Sequence, residues 1–167
     1  MSNGADTPLL VVGLGNPILS DDGIGWRVAQ QVRTIMPANG SVAVIEACVG
    51  GLSLAELLVG CRRAIIVDAI LTEGGVPGTV YRLRLDDLPG TLNLASAHDT
   101  NLSTALRALR RFGADVPPDE AIWVVAVEAQ DVWTFAETCT PEVERAIPAA
   151  VEAVRALLKQ PAAAPRE

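Results

Sequence analysis

The stretch Leu9-Leu10-Val11-Val12-Gly13-Leu14-Gly15-Asn16-Pro17-Ile18-Leu19-Ser20-Asp21-Asp22-Gly23-Ile24-Gly25 decides the fold: an apolar strand, a glycine turn, two carboxylates and the start of a helix. A strand that passes through G-x-G into a helix ordinarily builds a phosphate cradle, where glycines and a helix N-terminus offer backbone N–H groups to pyrophosphate. Here the third glycine of G-x-G-x-x-G is replaced by Ile18, and Asp21 and Asp22 place negative charge where a phosphate would lie. The turn reads instead as a place for a cation or for proton transfer.

Working outward, Ala64 to Val67 and Ile122 to Val127 repeat the continuous apolar pattern of Leu9 to Val12. Such runs are typical of parallel strands covered on both faces. Ser41 to Ala47 reads as a further strand. Thr79 to Leu85 alternates Tyr81, Leu83 and Leu85 with Val80, Arg82 and Arg84 after a Gly74-Gly75-Val76-Pro77-Gly78 turn. That is the pattern of an edge strand with one wet face, suited to antiparallel pairing. Helical stripes run through Ile24, Val28, Val32 and Ile35, through Leu102, Ala105, Leu106, Leu109 and Phe112, and through Val143, Ile147, Ala150, Val151, Val154, Leu157 and Leu158. A short helix is expected from Leu52 to Val59 after Gly50-Gly51. The expected fold is α/β: a single three-layer domain over residues 8–159, with a twisted, mostly parallel five-stranded sheet and helices on both faces. Residues 1–7 and the Pro/Ala-rich 160–167 read as disordered ends.

Composition narrows the function. At 167 residues and 50% hydrophobic, the chain is long enough to bury roughly two-thirds of its unfolded surface without disulfides or metals. A net charge of −7 and no basic stripe disfavour nucleic acid and anionic membrane as partners. Cys48, Cys61 and Cys139 are odd in number, far apart and without a C-x-x-C pair. They read as reduced thiols rather than a disulfide frame or a zinc site. The start carries no basic-then-apolar leader pattern, and no apolar run approaches the ~20 residues of a membrane span, so a cytoplasmic location is expected.

In an α/β sheet the chemistry gathers at the carboxyl ends of the strands. Asp21 and Asp22 follow the first strand, Asp68 ends the run Ala64-Ile65-Ile66-Val67, and His98, the only histidine, precedes the helix beginning near Asn101. Asp22, Asp68 and His98 are separated by 46 and 30 residues, about one crossover unit each, so the segments can converge on one crevice. Two carboxylates and an imidazole suit a divalent ion with positions left open for substrate. Plainer readings stand beside this one. An Asp at a helix start is a common N-cap, and of two adjacent acids one can cap while its neighbour faces the crevice. An Asp at a strand end is often a turn-former, and a lone histidine is usually structural. There is no G-x-S-x-G elbow. A Cys48–His98 dyad is a minor thiol alternative. Trp123 and Trp133 read as core or loop anchors, and Glu128 and Asp131 as a solvated loop with a lesser claim on the crevice.

Taken together, Gly13-Leu14-Gly15-Asn16-Pro17-Ile18-Leu19-Ser20-Asp21-Asp22-Gly23-Ile24-Gly25, Ile66-Val67-Asp68-Ala69, Pro77-Gly78-Thr79 and Ser96-Ala97-His98-Asp99 resemble the hydrogenase maturation endopeptidases. The match in order and spacing runs from about Leu9 to Leu158. The resemblance implies a cytoplasmic, aspartyl-type protease that removes a C-terminal extension from the large-subunit precursor of a nickel-iron hydrogenase after nickel insertion. It also implies that Asp22, Asp68 and His98 are the catalytic and metal-contacting set. It further implies that the ion is nickel carried by the precursor, whose binding would serve recognition and polarise the scissile carbonyl.

One motif departs from the family pattern. Where D-G-G-T-x-G is usual, this chain has Glu46-Ala47-Cys48-Val49-Gly50-Gly51, so the cleft wall is reshaped and the hydrogenase subclass stays open. Two rival classes are carried forward. One is a non-catalytic nickel chaperone or checkpoint protein using the same three ligands. The other is a peptidyl-tRNA hydrolase-like esterase, since Gly13-Leu14-Gly15-Asn16-Pro17 also looks like the opening of that family. There a histidine follows soon after, whereas His98 lies about eighty residues on, and the acidic charge fits tRNA poorly.

Overall fold

The computed structural model describes residues 9–36, 40–87 and 102–160. The opening apolar run forms strand β1 (Leu9–Leu14), and a 3-10 turn (Ser20–Gly23) leads into helix α1 (Ile24–Ile35). Strand β2 (Val42–Ala47), helix α2 (Gly51–Leu57), strand β3 (Arg63–Ile70) and strand β4 (Val80–Arg84) follow. Helix α3 (Leu102–Arg111), strand β5 (Ile122–Glu128) and helix α4 (Pro141–Leu158) complete the described chain. The sheet order is β2-β1-β3-β5-β4. All neighbours pair parallel except β4, which runs antiparallel to β5 as an edge strand.

The side-chain period of two divides the central strands between two cores. Val11, Ile65, Val67, Val125 and Val127 point to the layer of α1 and α4, packing with Val28, Val32, Val143 and Ile147. Leu10, Val12, Ile66, Ile70 and Val124 point to the layer of α2 and α3, against Leu54, Leu58, Leu102 and Leu106. Because β1, β3 and β5 bury both faces, they read as unbroken apolar runs. The three-layer α/β expectation holds, including the antiparallel edge.

Helix α1 reaches the sheet through a glycine pair. A Cβ on Gly25 would run into the carbonyl oxygens of Leu14 and Val67, and one on Gly13 into the Gly25 carbonyl and the Ala29 methyl. The missing side chains let the first turn of α1 sit directly on the ends of β1 and β3 and bring the carboxylate-bearing turn against β3.

Several boundaries differ from the sequence reading. Strand β3 does not stop at Asp68 but continues through Ala69 and Ile70, which pair with Val127 and Glu128. The backbone ladder is indifferent to one polar side chain, so the end of the apolar run was not the end of the strand. Phe112 does not belong to the buried stripe of α3 and is 89% exposed. Helix α3 closes at Arg111 in a Schellman arrangement: Ala114 N–H donates to Leu109 O and Gly113 N–H to Arg110 O, with Gly113 at φ +83°. The left-handed turn carries the chain away before Phe112 can reach the core. Ile35, at the last position of α1, is nearly half exposed.

Candidate functional site at the carboxyl ends of the strands

The turn after β1 is built around an internal bond. Gly15 takes φ +125°, and a Cβ there would strike the Asp22 carbonyl. The chain thus folds back far enough for Asn16 N–H to donate to Asp22 Oδ2 at 2.7 Å. Ile18 N–H donates in turn to Asn16 Oδ1 at 3.2 Å. Asp22 is 4% exposed and accepts a backbone N–H.

Asp68 is fully buried in β3, opposite Ala126 of β5. It lies two residues from both Ile66 and Ile70, so alternation places it on the face covered by α2 and α3. Its Oδ1 accepts the N–H of Ala69 at 2.8 Å. The Asp22-bearing turn abuts β3, which puts both carboxylates at the same end of the sheet on adjacent strands. His98 falls outside the described residues, four positions before Leu102, the buried first residue of α3 on that same face. Among the described residues no three His, Cys, Asp or Glu side chains gather for a metal ion.

Neither Asp21 nor Asp22 caps α1. The cap position is Gly23, and no side chain bonds there. Asp21 does something the local sequence did not announce. Fully buried, it accepts Gln130 N–H and Asp131 N–H at 2.9 Å each through Oδ2, Thr140 N–H at 2.6 Å through Oδ1, and the Thr140 hydroxyl. One carboxylate therefore closes both ends of the 129–140 loop. It also sets negative charge at the N-terminus of α4, which follows Thr140. The adjacent acids thus take different partners, Asp21 anchoring the 129–140 loop and Asp22 bonding within its own turn. Ser20, between the crevice and this anchor, is the one non-glycine at positive φ among the described residues, at +42°.

Glu128 is a fourth buried carboxylate and not part of a solvated loop. At 1% exposure it accepts Thr72 N–H at 2.7 Å, the Thr72 hydroxyl at 2.8 Å and the Tyr81 hydroxyl at 3.2 Å. It ties the β3–β4 connection to the end of β5, and Gly75 leaves room for it, since a Cβ there would meet the Glu128 carboxyl. Asp131 folds its own turn, accepting Trp133 N–H at 2.9 Å and Thr134 N–H at 3.0 Å. Hydrogen bonds from Thr134 and Trp133 hold its carboxyl below the usual range.

The aromatic residues part company. Trp123 is half-buried beneath the Arg84 guanidinium, 4.6 Å from its ring centre, and packs as expected. Trp133 is 77% exposed, because its turn is anchored through backbone and carboxylate and does not need the ring as an anchor. Trp26, not singled out from the sequence, donates its indole N–H to Ala47 O at 3.1 Å, the same carbonyl that accepts Gly15 N–H. That bond fixes the end of β2, where the departing motif begins. Glu46 is engaged by Arg33 of α1, Cys48 is exposed, and Gly51 opens α2 at φ +55°. All three cysteines are free. Burial pushes the Cys139 thiol up to about 11 and raises that of Cys61, so neither is a ready nucleophile.

The α/β domain brings two buried aspartates together on one side of the sheet, Asp22 in the glycine turn after β1 and Asp68 in β3, a pair suited to carboxylate chemistry rather than phosphate binding. Comparison with known proteins makes this specific. Residues 26–157 match the family described as hydrogenase maturation protease. The chain is 32% identical over 164 residues to the hydrogenase 2 maturation protease of Escherichia coli K12, covering 95% of this chain and 96% of that one. It superposes on the E. coli hydrogenase maturating endopeptidase HybD with a TM-score of 0.75, at 32% identity and over 90% and 91% of the two chains. The fold is shared with a [NiFe] hydrogenase maturation protease HybD from Thermococcus kodakarensis, with a TM-score of 0.66, 24% identity and 90% and 99% coverage. The chain belongs to the hydrogenase maturation protease family and is a hydrolase. No helix among the described residues is long and apolar enough to cross a membrane.

Proposed function

We propose that the protein is the endopeptidase that removes the C-terminal extension of a nickel-iron hydrogenase large-subunit precursor once nickel is in place, and that it works in the cytoplasm. The observation that supports this reading is the placement of two buried carboxylates on one side of the sheet, Asp22 in the turn after β1 that packs on β3, and Asp68 in β3 itself. Burying a carboxylate is costly unless hydrogen bonds or an opposite charge compensate it, and a cation shared between Asp22 and Asp68 would supply that charge. With His98 they make an O, O, N donor set matched to a divalent ion. In this reading the ion is part of the substrate: the precursor's nickel completes its coordination on Asp22, Asp68 and His98. The extension then lies along the crevice, where the ion polarises the bond to be cut.

The experiment is a processing assay on three forms of the protein. His98→Ala is expected to abolish shortening of the precursor, because it removes the nitrogen donor. Cys48→Ser is expected to retain it, since the carboxylate set operates without a thiol and Cys48 lies exposed beyond β2. Loss of cleavage in a folded Cys48→Ser protein would turn the account toward a thiol nucleophile. Full cleavage by His98→Ala would remove the three-residue set. A chaperone or checkpoint protein would bind the precursor and leave its length unchanged in every form.

A further inference from the structure

The 129–140 loop is pinned at both ends by a buried carboxylate, shaped by an Asx turn at Asp131, and bridged to the first loop by the Leu19–Ala136 pairing. On this braced frame stand Trp133 at 77% and Phe135 at 81% exposure. Ala136 N–H donates to the Ile18 carbonyl at 3.1 Å, which brings Ile18, itself 46% exposed, alongside Phe135. Each aromatic ring carries 150–250 Å² of surface, and here both are held out to solvent on a rigid support. The packing of the fold does not use them. Pre-ordered aromatics of this kind are what protein interfaces use as anchors, because little entropy is lost when they are covered.

Position and charge say what covers them. Ile18 lies four residues before Asp22 in the same connection between β1 and α1, so the patch adjoins the turn that carries the proposed site. Residues 15–23 and 129–140 contain no lysine or arginine, and of their acids Asp131 and Glu137 reach the surface while Asp21 and Asp22 are buried. Arg27 of α1 reaches the far end of the loop, at Cys139. A second copy of this chain would bring the same acidic surface against itself in a two-fold contact, which like charge opposes. We propose that Ile18, Trp133 and Phe135 form the docking surface for the substrate polypeptide, received through an apolar segment that carries basic side chains. This rests on the protease reading above and extends it from the crevice to its rim.

The test uses the full chain with Trp133→Ser and Phe135→Ser combined, both exposed, so the thermal midpoint should match the wild type. With the nickel-loaded large-subunit precursor, KM is expected to rise about tenfold or more while kcat stays within about twofold. Wild-type KM should rise with added salt. An unchanged KM in the folded double variant overturns the proposal. So does a wild-type dimer in sedimentation that the double variant turns into a monomer, which would make the occupant a second copy. Direct binding of the precursor, measured without cleavage, separates the two layers of inference. If the wild type binds and does not cut while the double variant fails to bind, the docking surface stands and the protease reading falls. If the double variant binds as tightly as the wild type, or if neither binds, the docking surface falls whatever the cleavage assay shows.

Discussion

Asp68→Asn is expected to leave the protein folded, at a stability equal to or above the wild type's, and to slow precursor shortening about a thousandfold or more. The two halves of that result come from one placement. Asp68 is fully buried in the interior of β3, where a charge is costly to desolvate. Asparagine is nearly the same size and keeps the Oδ1 that accepts Ala69 N–H, so that bond is preserved while the cost of burying a charge is removed. Under the proposed function, what is lost is the anionic donor that Asp68 would offer the precursor's nickel. Activity gained at the expense of stability is the usual signature of a working site. Thermal unfolding and a gel-shift assay of the precursor check both halves. A large drop in midpoint with cleavage intact would make Asp68 a structural residue.

Gly25→Ala is expected to act in the opposite sense, on the fold first. Its methyl has nowhere to go: the Leu14 and Val67 carbonyls and the Leu14 amide, 2.8 Å away, are all backbone. Helix α1 would have to lift off β1 and β3, opening the contact that Val28 and Val32 complete further along. A loss of about 3–5 kcal/mol is expected, within the range of severe core overpacking, read from the urea midpoint or as insoluble protein. Because the same contact holds the Asp22 turn against β3, the residual folded fraction should also cleave poorly. A stability change under about 1 kcal/mol would show that helix and sheet can part without cost.

The layers of this fold were legible because β1, β3 and β5 bury both faces, and a strand buried on both faces shows as an unbroken apolar run. The antiparallel edge was legible in the alternation from Tyr81 to Leu85 for the converse reason. What escaped was set by contacts far apart in the chain. Asp21 binds residues 109 to 119 positions away, and no local pattern separates such an anchor from a helix cap. Glu128 looked like a loop acid because Thr72 and Tyr81 approach it only in the folded sheet. Phe112 matched the helical period, but Gly113 ended the helix one residue too soon. For the candidate site, the placement of Asp22 after β1 and Asp68 in β3 was readable from order and type. The exposure of Trp133 and Phe135 was not, since an aromatic in a sequence is read as core by default.

The central claim is that this protein cuts a precursor whose nickel it reads through Asp22, Asp68 and His98. The most direct measurement incubates the purified protein with nickel-loaded and nickel-free large-subunit precursor, without added metal, and weighs the products by mass spectrometry. The account predicts that the loaded form loses its C-terminal extension and the nickel-free form keeps its full mass. Equal cleavage of both would contradict recognition through nickel, and cleavage of neither would contradict the protease itself.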